Sequence, residues 1–408
     1  MTAADENDDD PIAAPSSSSL RRRDFFKSAS SKAASISVLA VAASASTSSW
    51  SYPLVGAANA AESVDVDVSS ASPTNSDVVV PYSKVYRPAP HSMDGKLVLI
   101  TGGNAGLGLE STKRLAEAGA IVVFTSRDAS RGAKALEEVN AHLAERKAAD
   151  SNFAGRAMVT TLDLCDLADV SSFRDRLTKV VGKDAKIDVL MNNAGVMAIP
   201  DRRITKDGYE TTFQTNHLGH FALTSHLMPM LSPNARVINV ASLAYQFVPS
   251  AKGLEFDNLN GEREYGPWSS YGMSKLENIL FASELQRRVD ESRDHSGVSV
   301  FSLHPGAVQT DLARYLIGEE KFASMKENGF ASWTDRVLME GLAKFVKTVQ
   351  EGASTQVYLA SSADVVGGRG AYFSDGKVEQ VKAFASDAGA AKELWDVSEK
   401  LSGVKFEL

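Results

Sequence analysis

Apolar residues recur along the chain in short unbroken runs separated by amphipathic stretches. Leu97–Ile100, Ile121–Thr125, Ala157–Leu164, Ile187–Met191, Arg236–Ala241 and Val298–Leu303 each read as a strand. Continuous apolar character, without polar alternation, predicts strands covered by helices on both faces, as in a parallel sheet. Between them, Glu110–Ala118, a segment beginning near Leu167, Thr212–Thr224 and Tyr271–Leu285 carry the helical period. Strand and helix alternate at short connection lengths, which predicts a doubly wound α/β fold forming a single domain over residues 94–408. Sheets of that kind bind ligands at the C-terminal ends of their strands.

Residues 1–93 break this pattern. Ser, Ala, Asp and Pro dominate and apolar periodicity is missing, so a disordered extension is expected. Arg22-Arg23-Asp24-Phe25-Phe26-Lys27 has the form of a twin-arginine signal, followed by a modest apolar stretch, Ala33–Ala45, and an Ala58-Asn59-Ala60 site of the Ala-x-Ala type. The expectation is targeting to a plastid or its thylakoids, or to a periplasm, with the endoplasmic reticulum or the cytoplasm as alternatives. The acidic start from Asp5 to Asp10 is atypical of a signal or transit peptide. The last four residues, Lys405-Phe406-Glu407-Leu408, have the shape of a retention signal for the endoplasmic reticulum with Phe406 in place of an acidic residue.

The stretch that organises the domain is Lys96–Leu109, KLVLITGGNAGLGL, where an apolar strand passes directly into a glycine-rich turn and then a helix. Gly102, Gly106 and Gly108 remove side chains where backbone must bend sharply, lie along a pyrophosphate and let helix pack on strand. Phosphate would meet the free N–H groups of that helix, which assigns Thr101, Gly102, Asn104, Gly106, Leu107 and Gly108 to dinucleotide binding. The second strand ends at Ser126-Arg127-Asp128. An NAD-selective site usually places a carboxylate there for the ribose hydroxyls, whereas Arg127 offers a cation for the extra 2′-phosphate of NADP, although Asp128 follows directly. At the end of the third strand Asp163 stands ready to cap the helix near Leu167. Asn192, Asn193, Ala194 and Gly195 form a tight backbone passage suited to a nicotinamide ribose, with sheet bracing an equal role for Asn193.

The formal net charge of −8, with no basic block beyond Arg21–Arg23, argues against nucleic acid as a partner. A hydrophobic content of 43% supplies a sizeable core, and no run of about 18 apolar residues suggests a spanning helix. The single cysteine, Cys165, excludes an internal disulfide and a cysteine-rich metal site, and reads as a small buried thiol. No metal is expected.

Tyr271 and Lys275, four residues apart on a predicted helix, share one face. A neighbouring ammonium stabilises a phenolate, so Tyr271 would exchange protons nearer neutrality than a free phenol, whose pKa is about 10. Asn216 interrupts an apolar helix, where its amide must brace a kink or hold a water. The strand Arg236–Ala241 delivers Ser242.

In this order, Thr-Gly-x-x-x-Gly-x-Gly from Thr101, Asn-Asn-Ala-Gly from Asn192, Asn216, Ser242 and Tyr-x-x-x-Lys from Tyr271 resemble the short-chain dehydrogenase/reductase family and its Rossmann-type fold over residues 96–359. Asn216–Phe221 and Tyr271–Asn278 are most similar to the retinol dehydrogenase and WW-domain oxidoreductase branch, with light-dependent protochlorophyllide reductase a more distant relative; Tyr372–Gly376 and Leu394-Trp395 are similar to that branch too. The resemblance implies that Ser242 polarises a substrate carbonyl and Tyr271 transfers a proton. It further implies that Lys275 holds the nicotinamide ribose and lowers the tyrosine pKa, and that Asn216 anchors a water in a proton relay. Asp163 would contact adenine, with Leu164 beside it in the cofactor site, Pro305 and Gly306 would turn the chain past the nicotinamide, and Val308 and Thr310 would contact its carboxamide. Ala241 departs from the second serine that many relatives carry.

The expected activity is NADP(H)-dependent hydride transfer between nicotinamide and a carbonyl or alcohol. The segment from Thr310 to Gly341 is expected to form a lid; a helical stripe of Val337, Leu338, Leu342, Phe345 and Val346 reads as core or as cleft wall, and where it lines the cleft beside Trp333 the substrate is apolar and bulky. That reading leaves room for peripheral membrane association, and the resemblance for a homodimer paired through the helices of Asn216 and Tyr271. The alternatives are a pigment reductase of the protochlorophyllide type and a non-catalytic, NADP-sensing partner protein.

Overall fold

The computed structural model describes residues 85–248, 253–308 and 347–408. The expectations about residues 1–84 of the extension, the twin-arginine motif, the lid, Trp333, the apolar stripe and Thr310 lie outside these residues. Residues 85–93, expected in the extension, instead pack on the fold through buried Met93 and through Tyr86, which meets Tyr358 edge-on.

The sheet comprises β1 (Leu97–Ile100), β2 (Ile121–Ser126), β3 (Arg156–Thr161), β4 (Ile187–Asn192), β5 (Leu231–Val240), β6 (Ser299–His304), β7 (Tyr372–Ser374) and β8 (Lys377–Val378). Their order is β3-β2-β1-β4-β5-β6-β7-β8. The first seven are parallel, and β8 returns antiparallel on β7 through the turn at Asp375 and Gly376. The order reverses between β1 and β4, so the loops after these two strands diverge and open a crevice there.

Helices α1 (Gly106–Glu117), α2 (Ala129–Ala149), α3 (Leu167–Val181), α4 (Gly219–Leu227), α5 (Pro267–Glu291), α6 (Ser354–Ser361) and α7 (Ala388–Ser402) cover both faces. A strand with helices on each side buries every residue, and all four residues of β1 are buried. Leu97 and Leu99 face a core with Phe173, Phe221 and Phe281. Val98 and Ile100 face the opposite core with Leu115, Val139 and Val357. Among the described residues no helix is long and apolar enough to cross a membrane.

Several boundaries differ from the sequence pattern. β3 stops at Thr161, because Leu162 and Leu164 leave the sheet and pack into the core beneath α3 and α4. α1 begins at Gly106 rather than Glu110, taking Gly106 and Gly108 into its first turn. The helix of Asn216 is not uniform: Thr211–Phe213 runs into a π-helical turn, Gln214–Leu218, before α4. That turn carries Asn216, whose side chain bonds Val196 in the loop after β4, and π turns are frequent at functional sites.

α7 closes the core over α4 and α5. Trp395 is 1% exposed and meets Phe221 at 5.0 Å, Phe281 at 6.0 Å and Phe406 at 4.4 Å between ring centroids. Ser225 Oγ donates to the Lys405 carbonyl, and Phe406 N donates to Glu399. The retention-like tail is therefore docked on the fold through Phe406.

Candidate active site

The turn after β1 has the shape of a pyrophosphate cradle. A Cβ on Gly108 would lie 2.5 Å from the Gly102 carbonyl oxygen, and Gly102 and Gly106 adopt φ of 65° and 53°, where side chains are strained. The residue before α1 is Ala105, whose side chain caps nothing, and the first turn of α1 holds no acid. Its N–H groups are thus left for an anion. Leu107 packs with Val308 over Gly352, at which a Cβ would meet both side chains within 2.9 Å.

Arg127 is exposed at the end of β2 and makes no ion pair among the described residues, whereas Asp128 is committed to capping α2 by accepting from Arg131 N. Asp163 does not cap α3. Asp166 does, accepting from Ala168 N and Asp169 N, because it is the residue immediately before the first helical position. Asp163 Oδ1 instead accepts from Cys165 N. Cys165 is half-buried with Sγ 2.9 Å from Thr215 Oγ1, and burial raises its pKa.

Two residues assigned to the cofactor turn their side chains elsewhere. Leu164 is buried in the core, and Asn192 Nδ2 donates to Thr224 Oγ1 of α4 and to Asn239 Oδ1 of β5, so neither side chain is available to the cofactor. Asn193 braces: its Nδ2 donates to the Thr101 carbonyl at 2.8 Å. Gly195 lies where a Cβ would stand 3.1 Å from Asn216 Oδ1 and 3.5 Å from Lys275 Nζ, which places Ala194 and Gly195 against the centre of the site.

Asn216 holds both sides of this centre. Its Oδ1 accepts from Val196 N at 2.8 Å, and Nδ2 donates to Val196 O and to Ser274 Oγ, each at 2.9 Å. Ser274 Oγ in turn donates to the Tyr271 carbonyl. Both amide hydrogens are spent, so a water could be anchored by the Asn216 carbonyl or by the second lone pair of Oδ1.

Ser242 ends the β5 segment and caps a short 3₁₀ turn, Leu243–Phe247. Its hydroxyl lies near enough to Tyr271 to favour the phenolate. Lys275, 4% exposed, donates from Nζ to the Val240 carbonyl at 2.9 Å and lies 5.6 Å from the Tyr271 ring centre. Burial lowers its pKa to about 8. The expected lowering of the tyrosine is not found in the protein alone: burial raises the Tyr271 pKa, and the nearby Ser242 hydroxyl opposes it only in part. The physical reason is that Lys275 faces a backbone carbonyl rather than the phenol oxygen.

Past β6, His304 Nδ1 accepts from Gly306 N, and Gly306 takes φ 82° with the end of the Lys347 side chain against it. Pro305, Gly306 and Val308 thus border the crevice. Residues to which the sequence reading gave no role in the site include His220 and Glu379, and Tyr372 entered it only through the family resemblance. Tyr372 stacks on His304 at 5.6 Å, and His304 Nε2 lies 3.3 Å from Glu379.

A model described as short chain dehydrogenase matches residues 96–254. The chain is 38% identical over 322 residues to mouse retinol dehydrogenase 14, covering 77% of this chain and 88% of that protein. It is 32% identical to short-chain dehydrogenase TIC 32 B, chloroplastic, of Brassica napus, over 76% of this chain and 90% of that one. A crystal structure of an uncharacterised protein from Mycobacterium paratuberculosis superposes with a TM-score of 0.56 at 32% identity, covering 79% of this chain and all of that one. The chain belongs to the short-chain dehydrogenase/reductase family, in its retinol dehydrogenase-like branch. It is an oxidoreductase of the class that uses a nicotinamide dinucleotide, and the glycine cradle and uncapped α1 fit that group.

Proposed function

We propose that the protein transfers hydride between NADP(H) and the carbonyl or alcohol of an apolar substrate. The observation that carries the chemistry is the convergence of Ser242, Tyr271 and Lys275 beside the cradle backbone at Gly195. Bound nicotinamide supplies or accepts the hydride. Ser242 and Tyr271 present two hydroxyl hydrogens to one substrate oxygen, and Tyr271 gives its proton as charge develops there. Lys275, whose pKa of about 8 keeps proton exchange close to neutrality, restores that charge balance and can hold ribose hydroxyls.

Selection of NADP is supported by Arg127, exposed at the end of β2 while Asp128 is occupied in capping α2. An apolar substrate is supported by Trp268, whose ring packs edge-on to Tyr271 at 6.4 Å, and by the retinol that the mouse relative is named for. Delivery to a plastid by residues 1–93 is supported by the chloroplastic designation of the Brassica relative.

A panel of retinoid, long-chain and short polar aldehydes and ketones, run with NADPH and NADH separately, tests the reading. Turnover of apolar aldehydes with NADPH, lost in Tyr271→Phe, is expected. Preference for short polar ketones or for NADH would overturn the finer assignment, and pigment-dependent turnover alone would favour the pigment reductase.

A further inference from the structure

His220 sits on α4, 1% exposed, with no place in the chemistry above. Its Nδ1 lies 3.0 Å from the Asn216 carbonyl oxygen and its Nε2 lies 2.9 Å from Thr101 Oγ1. A carbonyl only accepts, so Nδ1 carries a hydrogen. Burial, with the charge of Lys275 adding to it, lowers the His220 pKa to about 4, so the ring is neutral at pH 7 and Nε2 is bare. Thr101 then donates to Nε2, the nearer acceptor at 2.9 Å, rather than to the Met191 carbonyl at 3.4 Å. With its hydrogen so committed, the Thr101 oxygen keeps both lone pairs for the N–H groups of Asn193 and Ala194, each at 2.9 Å.

The result is one directed chain of hydrogen bonds. It runs from the Asn193 and Ala194 amides to Thr101, from Thr101 to His220, and from His220 to the carbonyl of Asn216. One end is the first residue of the glycine turn, and the other is the π-helical turn whose Asn216 side chain grips Val196 and Ser274.

We propose that His220 is a positioning residue that couples the dinucleotide turn at Thr101 to the catalytic turn at Asn216. Any other placement of the imidazole hydrogen breaks two links at once, since Nε2–H would meet a hydroxyl with no free lone pair and bare Nδ1 would face a carbonyl. The inference rests on the reading that this crevice binds a nicotinamide dinucleotide.

Two substitutions separate the two ends. In His220→Asn the shorter amide reaches the δ position, keeping a donor for Asn216 and losing the acceptor for Thr101. His220→Gln reaches the ε position, keeping an acceptor for Thr101 and losing the donor. Dinucleotide binding is measured by NADPH fluorescence on the full chain, and kcat at saturating NADPH with an apolar aldehyde. His220→Asn is expected to weaken dinucleotide binding about tenfold with the smaller effect on kcat, and His220→Gln to lower kcat about tenfold with the smaller effect on binding. Equal losses in both quantities, or none, would overturn the coupling. Histidine-labelled wild-type protein gives a readout independent of any variant: ¹⁵N resonances of His220 are expected to report an Nδ1–H tautomer that stays neutral to about pH 5, and an Nε2–H tautomer would overturn the proposal. Wild-type chain that binds neither NADPH nor NADH would remove the functional reading itself. Binding by wild type with indistinguishable variants would remove only the coupling.

Discussion

The Cα of Gly272 lies so close to Ala244 that a Cβ there would stand 2.6 Å from the Ala244 carbonyl oxygen. That approach brings the start of α5 onto the 3₁₀ turn that Ser242 caps, so the phenol of Tyr271 and the hydroxyl of Ser242 lie near each other. Gly272→Ala must push the two segments apart. Overpacking of this kind costs about 1–3 kcal/mol, and we expect a lower unfolding midpoint together with a kcat loss of at least about tenfold. A variant with native activity would show that the close approach does not set the catalytic pair.

Lys275 carries a charge in a buried place, and its folded pKa of about 8 lies below the ordinary lysine value. Below pH 8 the folded state bears the full cost of that charge, while the unfolded chain does not. Between about pH 8 and pH 10 the unfolded chain binds more protons, so this group adds stability as pH rises, on the order of 3 kcal/mol in all. Lys275→Met is expected to abolish turnover and to lose that alkaline rise. Denaturant titrations of both proteins at pH 7 and pH 10 measure the difference, and equal slopes with pH would refute it.

The same sign operates at acid pH for His217. Fully buried among Phe213, Phe221 and Phe281, with Nε2 on Ser398 Oγ, it has a pKa lowered to about 3. The unfolded chain takes up a proton below about pH 6.5 that the folded chain refuses, so stability falls as pH drops from 6.5 toward 3. His217→Phe should reduce that fall by a few kcal/mol, read from urea midpoints at pH 7 and pH 4.5. An unchanged acid slope would assign it to other groups.

Arg127→Ala should weaken NADPH binding about tenfold or more and leave NADH binding within about twofold, since a charge-assisted bond to a phosphate is lost only with NADPH. Isothermal titration with each dinucleotide decides this, and equal losses would mean that Arg127 does not read the 2′-phosphate.

Trp395→Ala removes the central ring of the aromatic cluster closed by α7. Large-to-small changes of this type cost about 3–5 kcal/mol, with Arg288, 4.3 Å from the ring, losing its cation–π contact as well. Thermal unfolding should show the loss, and a shift of under about 1 kcal/mol would show that the cluster relaxes around the gap.

Local patterns carried most of the fold into view. β1 and its turn are legible because Leu97–Ile100 and the three glycines act over a few residues, and Tyr271 and Lys275 because helical spacing puts them on one face. The π turn at Gln214–Leu218 was legible only as the kink that an Asn216 amide would brace; its type left no mark, since an extra residue in a helix changes backbone register without changing composition. β3 was read too long because Leu162 and Leu164 are as apolar as a strand, though they serve the core. Asp163 and Asp166 are equally good caps by type, and only the helix start distinguishes them. His220 was missed, although two histidines three apart in an otherwise apolar helix were the available signal.

The helix that covers the aromatic cluster, α7, lies far along the chain from Phe221 and Phe281. Contacts so distant in sequence form late, because a long loop must close before they stabilise anything. Until α7 docks, the apolar layer behind the catalytic helices stays open to water. A chain cut before Ala388 should therefore bind an apolar dye that the intact protein refuses.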